Sequence, residues 1–78
     1  MLTVEVVFKP DGTLSDEIEV YFDKEGLDYL FARMSHIRDG KTDHLNLMSE
    51  SWGLGDLNET PHRETNRIAH HLRMTLTD

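Results

Sequence analysis

Two runs of strict alternation, LTVEVVF (Leu2 to Phe8) and EIEVYFD (Glu17 to Asp23), constrain this chain more than any other feature. In the first, Leu2, Val4, Val6 and Phe8 recur at period two with Thr3 and Glu5 between them. In the second, Ile18, Val20 and Phe22 alternate with Glu17, Glu19 and Tyr21. Side chains of a strand point to opposite faces in turn, so each run predicts a strand with one buried face. Between them KPDGTLS sets Pro, Asp and Gly in the order of a tight turn, which makes the pair a β-hairpin.

The period changes at Asp23, whose carboxylate can cap a helix while Glu25 and Asp28 favour the positive end of its dipole. Leu27, Leu30, Phe31, Met34 and Ile37 then fall on one stripe at helical spacing, and Gly40 ends the run. DHLNLMS (Asp43 to Ser49) alternates again and predicts a third strand. Ile68, His70, Leu72, Met74 and Leu76 share one face of a fourth, whose first turn, Glu64 to Ile68, has a helical alternative. The expected fold class is α+β in the order ββαββ: a four-stranded, mostly antiparallel sheet with one helix packed on one face. Its other face, carrying Glu5, Glu17, Glu19, Tyr21, His71 and Arg73, would stay wet or meet a partner.

At 78 residues the chain is expected to form a single domain, 1–78, since half that length could not offset its own chain entropy. Without cysteine there is neither a disulfide framework nor a thiolate zinc site, so stability must come from packing. The acid within the apolar N-terminal run argues against a signal peptide, and no stretch approaches the ~20 apolar residues of a membrane span. A soluble cytoplasmic protein with no membrane partner is the expectation.

The formal charge of -7 is uneven. Asp11 to Asp28 holds seven acids against one base, Lys24, whereas Arg63, Arg67 and Arg73 outnumber Glu64 and Asp78 near the end. Such a surface repels a phosphate backbone, which excludes nucleic acid as the expected partner, and steers a basic protein toward it. The five histidines lie on divergent elements with no HxH, HxxxH or HExxH spacing, so no metal site and no cofactor is expected. Ser49 and Ser51 near His44 lack an elbow motif, and GLG in WGLGDLN lacks the third glycine and lysine of a phosphate loop; no catalytic residue is expected.

SESWGLGDLN (Ser49 to Asn58) carries the only tryptophan. Two roles are open to Trp52. It can fold over an open end of the core while Gly53 and Gly55 turn the backbone beneath it, or stand out as an anchor ringed by Glu50, Asp56 and Glu59. A divided role would set the indole partly against the core near Leu57 and leave the three acids to a partner. With Glu17 and Glu19 of the acidic hairpin, these are the expected partner-binding residues.

At VYFDKEGLDYLFARM, DHLNLMSESWGLGDLNE and IAHHLRMTL the chain resembles the immunity protein 32 family of bacterial polymorphic toxin systems. The shared pattern is a strand leading into a GLDYL helix, a DHLxLMS strand, a WGxGxL loop and a terminal strand, over roughly residues 18 to 76. Leu54 and Gly55 stand where the family's turn is more glycine-rich. The resemblance implies an antitoxin that binds and blocks a toxin domain, for which a basic toxin would suit the acidic surface. The alternative is a generic acidic interaction or regulatory module with no toxin partner, including a homodimer formed through a sheet edge or the open face.

Overall fold

The expected hairpin forms from β1 (Leu2–Phe8) and β2 (Leu14–Phe22), antiparallel from Leu2 opposite Phe22 to Val6 opposite Ile18. The register then shifts, and Phe8 meets Leu14. Asp16 sits in this irregular stretch at φ 61, a left-handed conformation that Asp tolerates better than most residues. The computed structural model describes residues 1–78, an α+β fold with one helix. That helix, α1 (Lys24–Arg38), starts where Asp23 accepts a hydrogen bond from the Gly26 N–H at 2.8 Å, and Gly40, at φ 77, lies just beyond its end. It is too short to cross a membrane.

The remaining strands are β3 (His44–Met48), β4 (Arg67–Ile68) and β5 (His71–Thr75). They do not complete one four-stranded sheet as expected. One sheet has the order β2-β1-β4 and a second, two-stranded sheet pairs β3 with β5, all antiparallel. The C-terminal run is divided between them. Ala69 N–H still bonds to Val4 C=O, while His70 C=O already accepts from Ser49 N–H, so successive residues turn to opposite neighbours. Pairing with β1 stops here because Asn58 takes both backbone groups of Leu2: its N–H donates to Leu2 C=O and its side-chain oxygen accepts from Leu2 N–H, each at 2.8 Å. The segment preceding Asn58 also joins β3, through a parallel bridge between Ser49 and Leu57.

The core is small: Leu2 and Val4 from β1, Leu45 and Leu47 from β3, and Leu57, with Leu30, Ile37, Ala69, Leu72 and Met74 packed around them. Two expectations for buried faces need correction. The helical stripe is covered at Leu27, Leu30 and Ile37, but Phe31 and Met34 stand exposed, as do Ile18, Val20 and Phe22 of β2. An α-helix about 10 Å across covers only about two strands spaced about 4.8 Å apart. On its other flank α1 is tied to β3, where Arg33 donates to Asn46 C=O at 3.1 Å.

The second correction concerns Glu5, expected on the wet face. It is 0% exposed. Thr3 hydroxyl, Asn66 Nδ2 at 2.9 Å and the backbone N–H groups of His62 at 2.9 Å and Arg63 at 3.3 Å all donate to its carboxylate. The loop after Asn58 is thereby folded over the face opposite the helix. Burial alone would raise the pKa of Glu5, but these donors outweigh it and hold the carboxyl at about 2.

Candidate functional site: the tryptophan loop

The loop between β3 and Asn58 is built by its own polar groups. Ser49 C=O accepts from Trp52 N–H at 3.1 Å and Gly53 N–H at 2.8 Å, turning the chain sharply, and Gly55 takes φ 80. The far end returns to β3 through Leu57 N–H to Met48 C=O at 3.0 Å. Asp56 fixes that return. Its side chain is 2% exposed and accepts from Met48 N–H at 2.9 Å, from Arg33 at 3.0 Å and from Tyr29 hydroxyl. Burial works to raise its pKa, but Tyr29, Met48 and the charge of Arg33 together hold it below the ordinary carboxylate range.

A second pin lies across the loop. Ser51 hydroxyl donates to Glu59, the leading reason that this carboxyl also titrates below its ordinary range, with further help from Ser49, Ser51 N–H and His70. His70 Nδ1 lies 2.7 Å from Ser49 Oγ and 3.5 Å from Glu59 Oε1. This Ser, His and Glu cluster has the composition of a nucleophilic triad but not its geometry. Hydroxyl and carboxylate both address Nδ1, whereas a relay needs them on opposite ring nitrogens, and Ser49 is fully buried. The cluster therefore acts as a clasp between loop and C-terminal segment.

The clasp carries the tryptophan. Trp52 stacks on the His70 ring, with centroids 5.5 Å apart and planes 2° from parallel. At 63% exposed it does not cover the core beside Leu57, which corrects the divided role expected for it. Leu54, between the two glycines, is 87% exposed and overhangs a groove of about 410 Å³ lined also by Arg33, His36, His44 and Met48.

The six expected partner-binding residues thus divide. Trp52, Glu50 and Glu17 are exposed, and neither acid has an ion-pair partner. Asp56 and Glu59 hold the loop, and Glu19 holds the opposite face, bonded to Asn66 at 2.9 Å, Tyr21 at 3.0 Å and Arg63 at 3.2 Å. Leu54 was missed because an apolar residue in a short glycine loop carries no periodicity to mark its exposure. The histidines are dispersed: His62 stacks on Tyr21, His71 meets Asn46, His44 meets Asp43, and no three of His, Asp and Glu converge. No protein family, no curated protein and no solved structure matches this chain.

Proposed function

We propose that this protein is a binding module that acts as an antitoxin, capturing a basic toxin domain with the loop from Ser49 to Asn58. The observation that carries the binding reading is a pinned loop with two bare apolar side chains. Asp56 and Glu59 fix the backbone from within, while Trp52 and Leu54 stand in solvent with Glu50 at their rim. A preorganised aromatic and aliphatic pair loses little conformational freedom on binding, and such residues dominate interface energies. The acidic charge supports a basic partner. The toxin-directed part of the proposal rests on the resemblance in VYFDKEGLDYLFARM and DHLNLMSESWGLGDLNE.

Co-expression with the product of the adjacent gene tests it. A stable complex that protects cells from that product, and that is lost in the Trp52→Ala/Leu54→Ala variant while its melt matches the parent, is the expected outcome. Full protection by the double variant would remove the loop from the interface, and no association at all would sink the antitoxin reading.

A further inference from the structure

The sheet β2-β1-β4 has one long open edge, and it is β2. Which backbone groups face outward there follows from the pairing with β1. Asp23 N–H bonds to Met1 C=O, so Tyr21 and Glu19, two and four residues back along the strand, also exchange their bonds with β1, opposite Thr3 and Glu5. Ile18, Val20 and Phe22 therefore turn their N–H and C=O groups away from β1, where β2 has no neighbour. The same three residues carry apolar side chains, opposite Val6, Val4 and Leu2 on the face that α1 packs against. They are nonetheless 66%, 42% and 47% exposed. The uncovered strip is one strand wide, about 4.8 Å, too narrow for a second helix about 10 Å across. Phe31 borders it: it lies about 100° around α1 from the packed Leu30, on the flank opposite Arg33, which is bound to β3. Folded proteins guard such an edge with lysine, proline or a bulge. Between Ile18 and Phe22 there is none of these; the irregular stretch at Asp16 and the start of α1 only bound the edge.

We infer that β2 pairs with β2 of a second copy, antiparallel about a twofold axis at Val20, and joins two three-stranded sheets into one. The inference goes beyond the binding reading above and does not depend on it, since the Trp52 loop adjoins β3 and His70 rather than β2. A strand matches both the width of the bare strip and its row of outward N–H and C=O groups, and a second copy supplies a strand that fits in register. With Val20 opposite Val20, Ile18 opposes Phe22 on either side, so every outward residue meets another: three pairs, six hydrogen bonds and an unbroken apolar row. On the other face Glu19 meets Tyr21 instead of an acid. The adjacent registers are worse. One sets Glu19 against Glu19; the other sets Glu19 against Asp23 and Ile18 against Lys24. In the favoured register Glu17 and Asp23 meet only at the ends, where the Met1 amine compensates Asp23 at 2.5 Å. The axis is normal to the sheet, so both helices lie on one face, and Phe31 and Met34 of each border the joined strands. Each copy would bury on the order of 500 Å² of apolar surface, about 1,000 Å² in total, which reaches the lower bound of a specific interface. Pairing consumes the long edge, and the opposite edge is the two-residue β4, so assembly closes at two. The charge of -7 on each copy opposes it, and salt, by screening that charge, strengthens the dimer.

Sedimentation equilibrium of the full chain over a hundredfold range of concentration, at about 50 and 500 mM salt, reads the association. A monomer–dimer equilibrium that tightens severalfold at the higher salt is expected. Amide hydrogen exchange locates the contact: Ile18, Val20 and Phe22 should gain protection as concentration rises, whereas Glu19 and Tyr21, bonded within the hairpin, should be protected throughout. Val20→Pro removes the outward donor at the axis without breaking a bond to β1, and an edge strand tolerates proline in that orientation. It should weaken the dimer at least tenfold, with a melt at low concentration close to the parent's. Val20→Lys sets two ammonium groups face to face across the axis and should do the same, so the test survives if the proline variant does not fold. Trp52→Ala should dimerise like the parent. A chain that stays monomeric at high salt, a dimer that survives both Val20 variants, or a dimer that leaves the three amides unprotected would overturn the inference. So would protection of those amides that appears only with the product of the adjacent gene, which would give the edge to that partner. The two proposals fail separately: a dimer that forms no complex with that product sinks only the antitoxin reading, and a complex made by a chain that never dimerises sinks only the edge pairing.

Discussion

Replacing Glu5 by glutamine removes one charge and changes almost no volume, yet it should be among the most damaging substitutions in this chain. The carboxylate is fully covered and four donors converge on its two oxygens. Glutamine keeps one acceptor oxygen and places an NH2 group against donors that the second oxygen satisfied. Strong hydrogen bonds to a charged acceptor are lost and buried donors are left without a partner, each worth about 1–3 kcal/mol. We expect Glu5→Gln to cost about 3 kcal/mol at pH 7, a fall in Tm of roughly 12–24 °C for a domain of this size.

Acid titration gives the same interaction a second signature. The folded-state pKa is about 2 against an ordinary 4.5, so the group is depressed on folding. Its stabilisation is complete above about pH 4.5 and drains away as pH falls toward 2, because the unfolded chain binds the proton first. The full difference corresponds to about 3 kcal/mol; water lies just beyond the exposed His62 and Arg63 layer, and screening trims this to about 2. Urea unfolding of parent and Glu5→Gln, followed by far-UV circular dichroism at pH 7, 5 and 3, reads both effects. The gap between them should be widest at pH 7 and narrow clearly by pH 3. Equal midpoints at pH 7, or a gap independent of pH, would refute the assignment of Glu5 as the carboxylate that holds the 62–66 loop.

Three other outcomes are expected. Trp52→Ala should lower stability by less than about 1 kcal/mol in a thermal melt, since the indole is 63% exposed and stacks on the His70 ring. Asp56→Ala should cost about 2–3 kcal/mol in the same melt, because it frees Met48 N–H and leaves Arg33 unpaired, whereas Glu50→Ala should be silent. Association with a basic partner, followed by stopped flow, should slow as salt rises and should slow further in Asp16→Lys/Glu17→Lys; an on-rate indifferent to both would remove electrostatic steering.

What could be read from the sequence was local in the chain. The β1–β2 pairing, the Asp23 cap and the end of α1 near Gly40 each depend on neighbours within a turn or a hairpin, and alternation and helical spacing record those directly. The fate of Glu5 depends on donors 57 to 61 residues away, and its pattern is that of any solvent-facing strand residue. The division of the C-terminal run into β4 and β5 follows from Asn58 occupying Leu2, 56 residues distant, although Ile68 to Leu76 alternates without interruption. Glu50 and Asp56 are chemically alike and six positions apart; only the placement of Arg33 and Tyr29 decides which turns inward.

These long-range outcomes share a physical logic that bears on how the acidity is used. Glu5, Glu19, Asp56 and Glu59 spend their hydrogen-bonding capacity on backbone N–H groups, arginines and hydroxyls of loops that have little apolar surface of their own to bury. A five-residue core cannot order so much irregular chain, and charge-assisted hydrogen bonds supply the missing order. Glu5 takes only uncharged donors and Glu59 is held mainly by Ser51, so these two keep their negative field, whereas Asp56 and Glu19 are paired with Arg33 and Arg63. Long-range attraction and short-range contact are thereby separated. On the binding reading proposed above, Glu5 and Glu59 still draw a cationic surface from a distance, while the groups it meets on arrival are Trp52 and Leu54. Mutating the tied acids to test steering would damage the scaffold as well, which is why Asp16 and Glu17, carrying the same charge and holding nothing, isolate the electrostatic contribution.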